Sequence, residues 1–394
     1  MIALGRALRA RGHAVCLQTW ERWREHVEAE GMRFARAPEY HDFPAGPGEL
    51  GFYEAAECAA RETVPLVRDE RPDVVVADIL TLAPALAAEA EGVPWATLIP
   101  HVYPPDAPGL PIYSFGARLP RTVLGRRLWE SVKGPMRRGV AAGRRDLNEI
   151  RTALGLPATE REHGGISPHL ALVATFPQLE YPRPWPPGVH VVGPLIWEPP
   201  AQDTEIPAGA GPLVLVAPST SQDPHHRLLR AALEGLADMP VRVLATWNRR
   251  TPERPLAVPA NATVLEWLSY ARTMPHADLV VCHAGHGTLA RALACGRPVV
   301  ACPVAGDMNE NAARLAWAGA GVRVPRRFIT ARVIARAVER VLAEPALGER
   351  ARQLAEWAER HDAGRTAVAA VEALASRSPP ATPRGAHRVA DGAG

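Results

Sequence analysis

Lysine is almost missing from this 394-residue sequence: Lys133 is its one lysine, and every other Lys/Arg position is arginine. With 45 Lys and Arg against 42 Asp and Glu, the formal charge is only +3. The cations are scattered without long runs, so the electrostatic footprint of a nucleic-acid binder is lacking and no nucleic-acid partner is expected. The five cysteines, Cys16, Cys58, Cys282, Cys295 and Cys302, include no C-x-x-C pair. Neither a zinc site nor a disulfide framework is expected, and a cytoplasmic protein fits. No stretch of 18 uninterrupted apolar residues occurs, which argues against a membrane span. The first residues lack the pattern of a secretory signal. What is present, 47% hydrophobic and 22% charged residues, describes a folded enzyme or binding protein of two or three domains.

The chain opens inside a helix, because Met1, Leu4 and Leu8 recur at helical spacing before Gly12 and His13 punctuate the sequence. No capping side chain precedes that helix and no strand feeds it, although an α/β unit normally runs strand, loop, helix, strand. Continuous apolar runs then alternate with helical stretches. Asp73 to Ala77 and Trp95 to Ile99 read as buried parallel strands flanking a helix from Thr81 to Glu91. Residues Pro100 to Pro120 read as a long loop, Thr122 to Ala153 as helical. Gly193 to Pro212 interrupts all periodicity and reads as an interdomain linker. After it the alternation restarts at Leu213 to Ala217. The expectation is an α/β protein of two Rossmann-like, doubly wound halves facing a cleft: 1–192, lacking its first strand, then the linker 193–212, then 213–375. Residues 376–394 read as a disordered tail.

Chemistry concentrates between Trp267 and Gly321. The strand Leu279 to His283 runs into the loop Ala284-Gly285-His286-Gly287, and Thr288 opens a helix. Such a loop aims backbone N–H groups and the positive end of the helix dipole at one point, which suits a diphosphate. An ordinary βα turn with glycines for geometry is the competing reading. The next strand end delivers Gly306-Asp307-Met308-Asn309-Glu310-Asn311, where Asp307 could accept from sugar hydroxyls and Asn311 could donate or accept. Asp307 or Asn309 could equally cap the following helix.

The run Trp267-Leu268, His283-Ala284-Gly285-His286-Gly287-Thr288, Ala294-Cys295-Gly296-Arg297-Pro298 and Gly306-Asp307-Met308-Asn309-Glu310-Asn311-Ala312-Ala313-Arg314 resembles the signature of the UDP-glycosyltransferase superfamily. These are family 1 inverting enzymes of GT-B fold, and the likeness is to the bacterial macrolide and natural-product branch. The resemblance implies that Trp267 stacks on the nucleotide base and that His283 binds the diphosphate. Gly285, Gly287 and Thr288 complete the phosphate cradle. Ser219 and Thr220 match a further phosphate contact, and Asp307 and Asn311 belong to the donor-sugar side. The donor would be a UDP or dTDP sugar, the acceptor a small hydrophobic molecule such as a macrolide or polyketide. No cofactor is expected, and the lack of any D-x-D argues against a metal. Met308 stands where many members have Gln, which opens the way to a 6-deoxy or otherwise modified sugar. Arg291 stands where plant members carry a glutamate for the ribose, which a dTDP donor would miss least. Ser269-Tyr270 replace the usual Pro-Gln.

Relatives place the catalytic base, a histidine, on a loop after the very first strand, directly ahead of the helix that here begins at Met1. Asp78 matches the acid that orients that histidine. The expectation is that Met1 is a misassigned start and that a further strand carrying the base precedes it. A nucleotide-sugar-binding remnant, an auxiliary partner of an active transferase and a sugar-nucleotide epimerase are the alternatives. His13 lies at the amino ends of the strands and reads as a turn residue, and His101 lies on the correct edge.

Overall fold

The computed structural model describes residues 1–40, 50–161, 164–201, 203–219 and 223–377. In the first half, α1 (Ile2–Ala10), β1 (Cys16–Thr19), α2 (Arg24–Ala29) and β2 (Arg33–Arg36) precede α3 (Phe52–Glu70), β3 (Val75–Asp78), α4 (Leu82–Glu91) and β4 (Trp95–Ile99). The pair α5 (Val123–Val132) and α6 (Gly134–Ala153) follows, with β5 (Ala171–Val173) and β6 (Val189–Val191). The second half runs β7 (Leu213–Ala217), α7 (Arg227–Leu236), β8 (Arg242–Thr246), β9 (Ala262–Leu265), α8 (Tyr270–Thr273), β10 (Leu279–Cys282), α9 (His286–Ala294), β11 (Val299–Ala301), α10 (Asp307–Ala318) and β12 (Gly321–Arg323). Three helices close the described chain: α11 (Ala331–Ala343), α12 (Pro345–Arg360) and α13 (Ala363–Arg377).

The second half is a six-stranded parallel sheet in the order β12-β11-β10-β7-β8-β9. Its central strands β7 and β10 are apolar on both faces because both are covered. Leu213, Leu215, Val280 and Cys282 enter one core, while Val214, Val216, Leu279 and Val281 enter the other. The first half is divided. β3-β4-β5-β6 form a four-stranded parallel sheet, whereas β1 and β2 pair in parallel only with each other. β1 and β3 therefore each keep one edge that is not hydrogen-bonded to a described strand. α1 covers the four-stranded sheet with Leu4, which packs among Ala96, Leu98, Leu170 and Leu172.

The chain ends in a way that corrects the expected boundary at 375. α13 does not belong to the second half's layers: its Ala367, Val368, Val371 and Leu374 pack with the first sheet. It lies so close to α1 that a Cβ on Gly364 would stand 3.0 Å from that of Ala7. Arg11 and His13 both bind Glu372 of this helix, His13 Nε2 at 2.9 Å, so His13 fastens a turn to α13. The helix also includes Ser376 and Arg377, two residues of the segment expected as a tail; residues 378–394 lie outside the described residues. No helix of the described chain is long and apolar enough to cross a membrane.

Candidate active site

β7 and β10 are neighbours, yet the helices that follow them cover opposite faces of the sheet: α7 packs into one core and α9 into the other. The carboxyl ends of the two strands therefore open a crevice, the usual ligand position in open parallel sheets. α9 begins at His286 with Gly285 as its N-cap, two residues earlier than expected, so that His286, Gly287 and Thr288 form its first turn. A Cβ on Gly285 or Gly287 would meet nothing within 4 Å. The protein's own packing does not require glycine there, and the space over this helix end stays open to an anion.

His283 is buried at the end of β10. The Ser219 amide donates to its Nδ1 at 2.6 Å, which places the ring proton on Nε2. Nε2 lies 3.3 Å from Asp223 Oδ2, within ion-pair range but off hydrogen-bond geometry, and among the described residues no other acceptor satisfies it. Both residues line a cavity of about 330 Å³ together with Arg227, Val304 and Arg326. An N–H that is buried, poorly paired and beside a cavity with two guanidiniums is suited to a phosphate oxygen.

Asp223 also caps α7, accepting from the Arg227 and Leu228 amides at 3.0 Å each. Burial pushes its carboxyl up, but His283 and the two amides outweigh burial and bring it to about 2. A carboxyl whose folded pKa is depressed stabilises the fold above its unfolded value and loses that contribution as pH falls through the folded one. Wild type should therefore lose about 2 kcal/mol more stability than Asp223→Asn between roughly pH 5 and pH 2, read from denaturation midpoints across that window.

Asn311 joins the two parts of the crevice. Its Nδ2 donates at 3.1 Å to the carbonyl of Ala284 and at 3.1 Å to Asp307 Oδ2. Ala284 has φ +59°, a conformation disfavoured for any residue but glycine, and the Asn311 hydrogen bond holds it there. Asn311 is buried with both Nδ2 bonds committed, so it positions its neighbours; Asp307, on the first turn of α10, remains partly exposed.

Trp267 follows β9 on the flank of this crevice, with the Arg249 guanidinium 5.1 Å from its ring centre. Asn248, next to Arg249, ties the end of β7 to α8, since its Nδ2 donates to the Pro218 carbonyl at 2.6 Å and to the Tyr270 hydroxyl. Arg291 is held 3.4 Å from Glu198, a linker carboxylate that also caps α8 by accepting from the Tyr270 and Ala271 amides.

Three contacts bring the first half against this site. Arg314 of α10 pairs with Glu310 at 2.9 Å and reaches across to Glu180 at 2.6 Å. His286 Nε2 lies 2.9 Å from Thr175 Oγ1, and Arg323 donates to the Gly116 carbonyl of the long loop. His101 Nδ1 sits 2.8 Å from the Val102 carbonyl and 3.2 Å from the Tyr113 hydroxyl. Asp78 stands apart from the donor crevice at the carboxyl end of β3. Its Oδ1 accepts from the Leu80 amide at 2.9 Å, and its charge acts on the amino end of α1.

Residues 230–374 match the family described as Erythromycin biosynthesis protein CIII-like, C-terminal domain. The chain is 31% identical to 4'-demethylrebeccamycin synthase of Lentzea aerocolonigenes, over 95% of this chain and 96% of the relative. It is 30% identical to O-mycaminosyltylonolide 6-deoxyallosyltransferase of Streptomyces fradiae, over 90% and 89%. The chain is a bacterial family 1 glycosyltransferase. Among solved structures, the glycotransferase of kitacinnamycin superposes with a TM-score of 0.77 at 21% identity, covering 95% of this chain and 94% of that one. The glycosyltransferase VinC in complex with dTDP gives 0.67 at 18% identity, covering 96% of each chain. The parallel-sheet α/β architecture of this glycosyltransferase is thus the GT-B fold.

The glycosyltransferase gathers Ser219, His283, Gly285, Gly287, Thr288, Asp307 and Asn311 around the ends of β7, β10 and β11, with Trp267 beside them. Thr220 lies outside the described residues. Asp223, Glu198 and Asn248 escaped the sequence reading, and Arg314, the last residue of the recognised run, was given no role in it. Asp223 carried one legible signal, an Asp four residues ahead of the helix that starts at Arg227. Glu198 carried none, and the partner of Arg314 lies too far along the sequence to be read from it.

Proposed function

We propose that this glycosyltransferase moves a sugar from dTDP or UDP to a hydroxyl of a small hydrophobic acceptor such as a macrolide or polyketide, with inversion and without a metal. The observation that carries the proposal is the bridge made by Asn311, which ties the phosphate-loop carbonyl of Ala284 to the carboxylate of Asp307. One side chain thereby sets the spacing between a diphosphate cradle and a sugar-hydroxyl acceptor. In the displacement, the acceptor oxygen bonds to the anomeric carbon as the bond to the phosphate oxygen breaks. The electron pair leaves with the diphosphate, whose charge meets the α9 amino end, His283 Nε2–H, Arg227 and Arg326.

The acceptor's proton must go to a base. Asp78 stands at the carboxyl end of β3, its Oδ1 fixed by the Leu80 amide, where a carboxylate can orient such a base. Asp78 then orients the base and does not itself take the proton. dTDP is the preferred nucleotide: Arg291, at the position where a ribose-binding glutamate is missing, is already engaged by Glu198. A deoxysugar agrees with Met308 and with the activity named for the Streptomyces fradiae relative.

Calorimetric titration with dTDP, UDP and their sugars tests the proposal. Saturable binding of a nucleotide and its sugar is expected; a folded protein that binds neither would sink it. Asp307→Asn should weaken the sugar nucleotide about tenfold while leaving dTDP itself nearly unchanged, because Asp307 faces the sugar and His283 the phosphates.

A further inference from the structure

Helix α5 turns Glu130 toward the protein and leaves its apolar residues in solvent. Inward, Lys133 at its carboxyl end is fully buried, with Nζ 2.7 Å from Asp106, 2.7 Å from Glu130 and 3.0 Å from the Ala107 carbonyl. Glu130 accepts from the Gly109 amide at 2.7 Å, and the stem of Arg126 packs against Gly109, where a Cβ would stand 3.2 Å away. Outward, Leu124, Leu128 and Val132 recur every four residues with 78%, 64% and 46% exposure, and Val123 is 67% exposed beside them. Phe115 of the long loop, 64% exposed, extends this surface by packing edge-on against Trp129 at 6.4 Å. Arg121, Arg127 and Arg138 are exposed around it, and among the described residues none of them makes an ion pair.

An apolar stripe of this kind costs free energy in water unless something covers it, and its arginine fringe selects what can. A second copy related by a two-fold axis would bring like charges together at the rim. An anionic lipid surface answers both features, taking the leucines among its acyl chains and the guanidiniums among its phosphates. We propose that α5 and Phe115 dock the protein on an anionic membrane surface. The long loop from Pro100 to Pro120, anchored to α5 through Lys133 and Glu130, then opens beside the bilayer, where hydrophobic molecules partition. This docking is independent of the transferase reading.

The test is co-sedimentation of the full chain with phosphatidylcholine vesicles, with and without phosphatidylglycerol. Wild type should partition onto the phosphatidylglycerol vesicles at least about tenfold more than onto neutral ones, and rising salt should release it. The double variant Leu124→Glu, Leu128→Glu and the triple variant Arg121→Glu, Arg127→Glu, Arg138→Glu should each lose that binding, with unchanged melting and unchanged dTDP titration showing that the fold is intact. Wild type that stays in solution overturns the proposal. So does equal binding to neutral vesicles, or a wild-type dimer that the leucine variant converts to monomer without altering vesicle binding.

Discussion

Replacing Arg314 by methionine should cost about 3–5 kcal/mol of stability, the loss expected when one partner is removed from a buried ion cluster. Arg314, Glu180 and Glu310 each have side chains only 3% exposed, and the guanidinium also lies 4.2 Å from the centre of the Tyr181 ring. Glu180 is further held by the Tyr103 amide at 2.7 Å. Burial pushes both carboxyls up, and Arg314 is the chief force opposing it. Burial alone would lower Arg314 as well, but the two carboxylates outweigh it and raise it. Methionine fills similar space but leaves two carboxylates in a dry site, where each must take a proton or force the halves apart.

The sign of the pH dependence follows. Unpaired buried carboxyls titrate above their unfolded values, so the penalty is small while both are protonated and grows as pH rises through those values. The variant should be closest to wild type in mild acid and fall furthest behind above neutrality, measured by denaturant midpoints across pH. Equal midpoints at pH 8 would show that the cluster does not hold the halves together. A functional effect should accompany the loss. Asp307 and Arg314 lie on one helix, so an interface loosened at Glu180 also loosens the sugar-side carboxylate relative to the first half.

The parts of this molecule that were legible in the sequence are those whose physics is local. Leu213 to Ala217 and Leu279 to Cys282 read as strands because a parallel strand covered on both faces must be apolar at every position. The β10–α9 loop was legible as a turn from its glycines, but only the longer run of signature residues around it set it apart from an ordinary βα turn. β2 was not, since its Arg33 and Arg36 face water at both ends, and β12 is only three residues long. α3 hides a proline at Pro65 inside a 19-residue helix. The destination of α13 was illegible for a different reason: an amphipathic helix states that it will be covered, never by which sheet. The same holds for the bridge from Arg314 to Glu180, whose partners are 134 residues apart.

His283→Ala should weaken dTDP by about 1.5–3 kcal/mol, a rise in Kd of roughly ten- to a hundredfold, because a hydrogen bond to a charged group is lost. The expectation follows from how the ring is held. With the Ser219 amide on Nδ1, the proton is on Nε2, and Asp223 at 3.3 Å satisfies it poorly. A phosphate oxygen entering the cavity beside Arg227 and Arg326 gives that proton an acceptor and leaves Asp223 to its two helix amides. The loss should be larger in transfer than in binding, because charge on the diphosphate grows as the sugar leaves; removal of one such donor typically slows the chemical step about 100- to 1,000-fold. His283→Gln separates the two roles of the ring. A glutamine amide can still donate from near the Nε2 position, so it should recover part of the dTDP affinity, while the Ser219 amide loses its acceptor and the β7 loop is freed. If His283→Ala binds dTDP as wild type does, His283 serves only to fasten Ser219, and the diphosphate is held by the α9 amides and the two arginines alone.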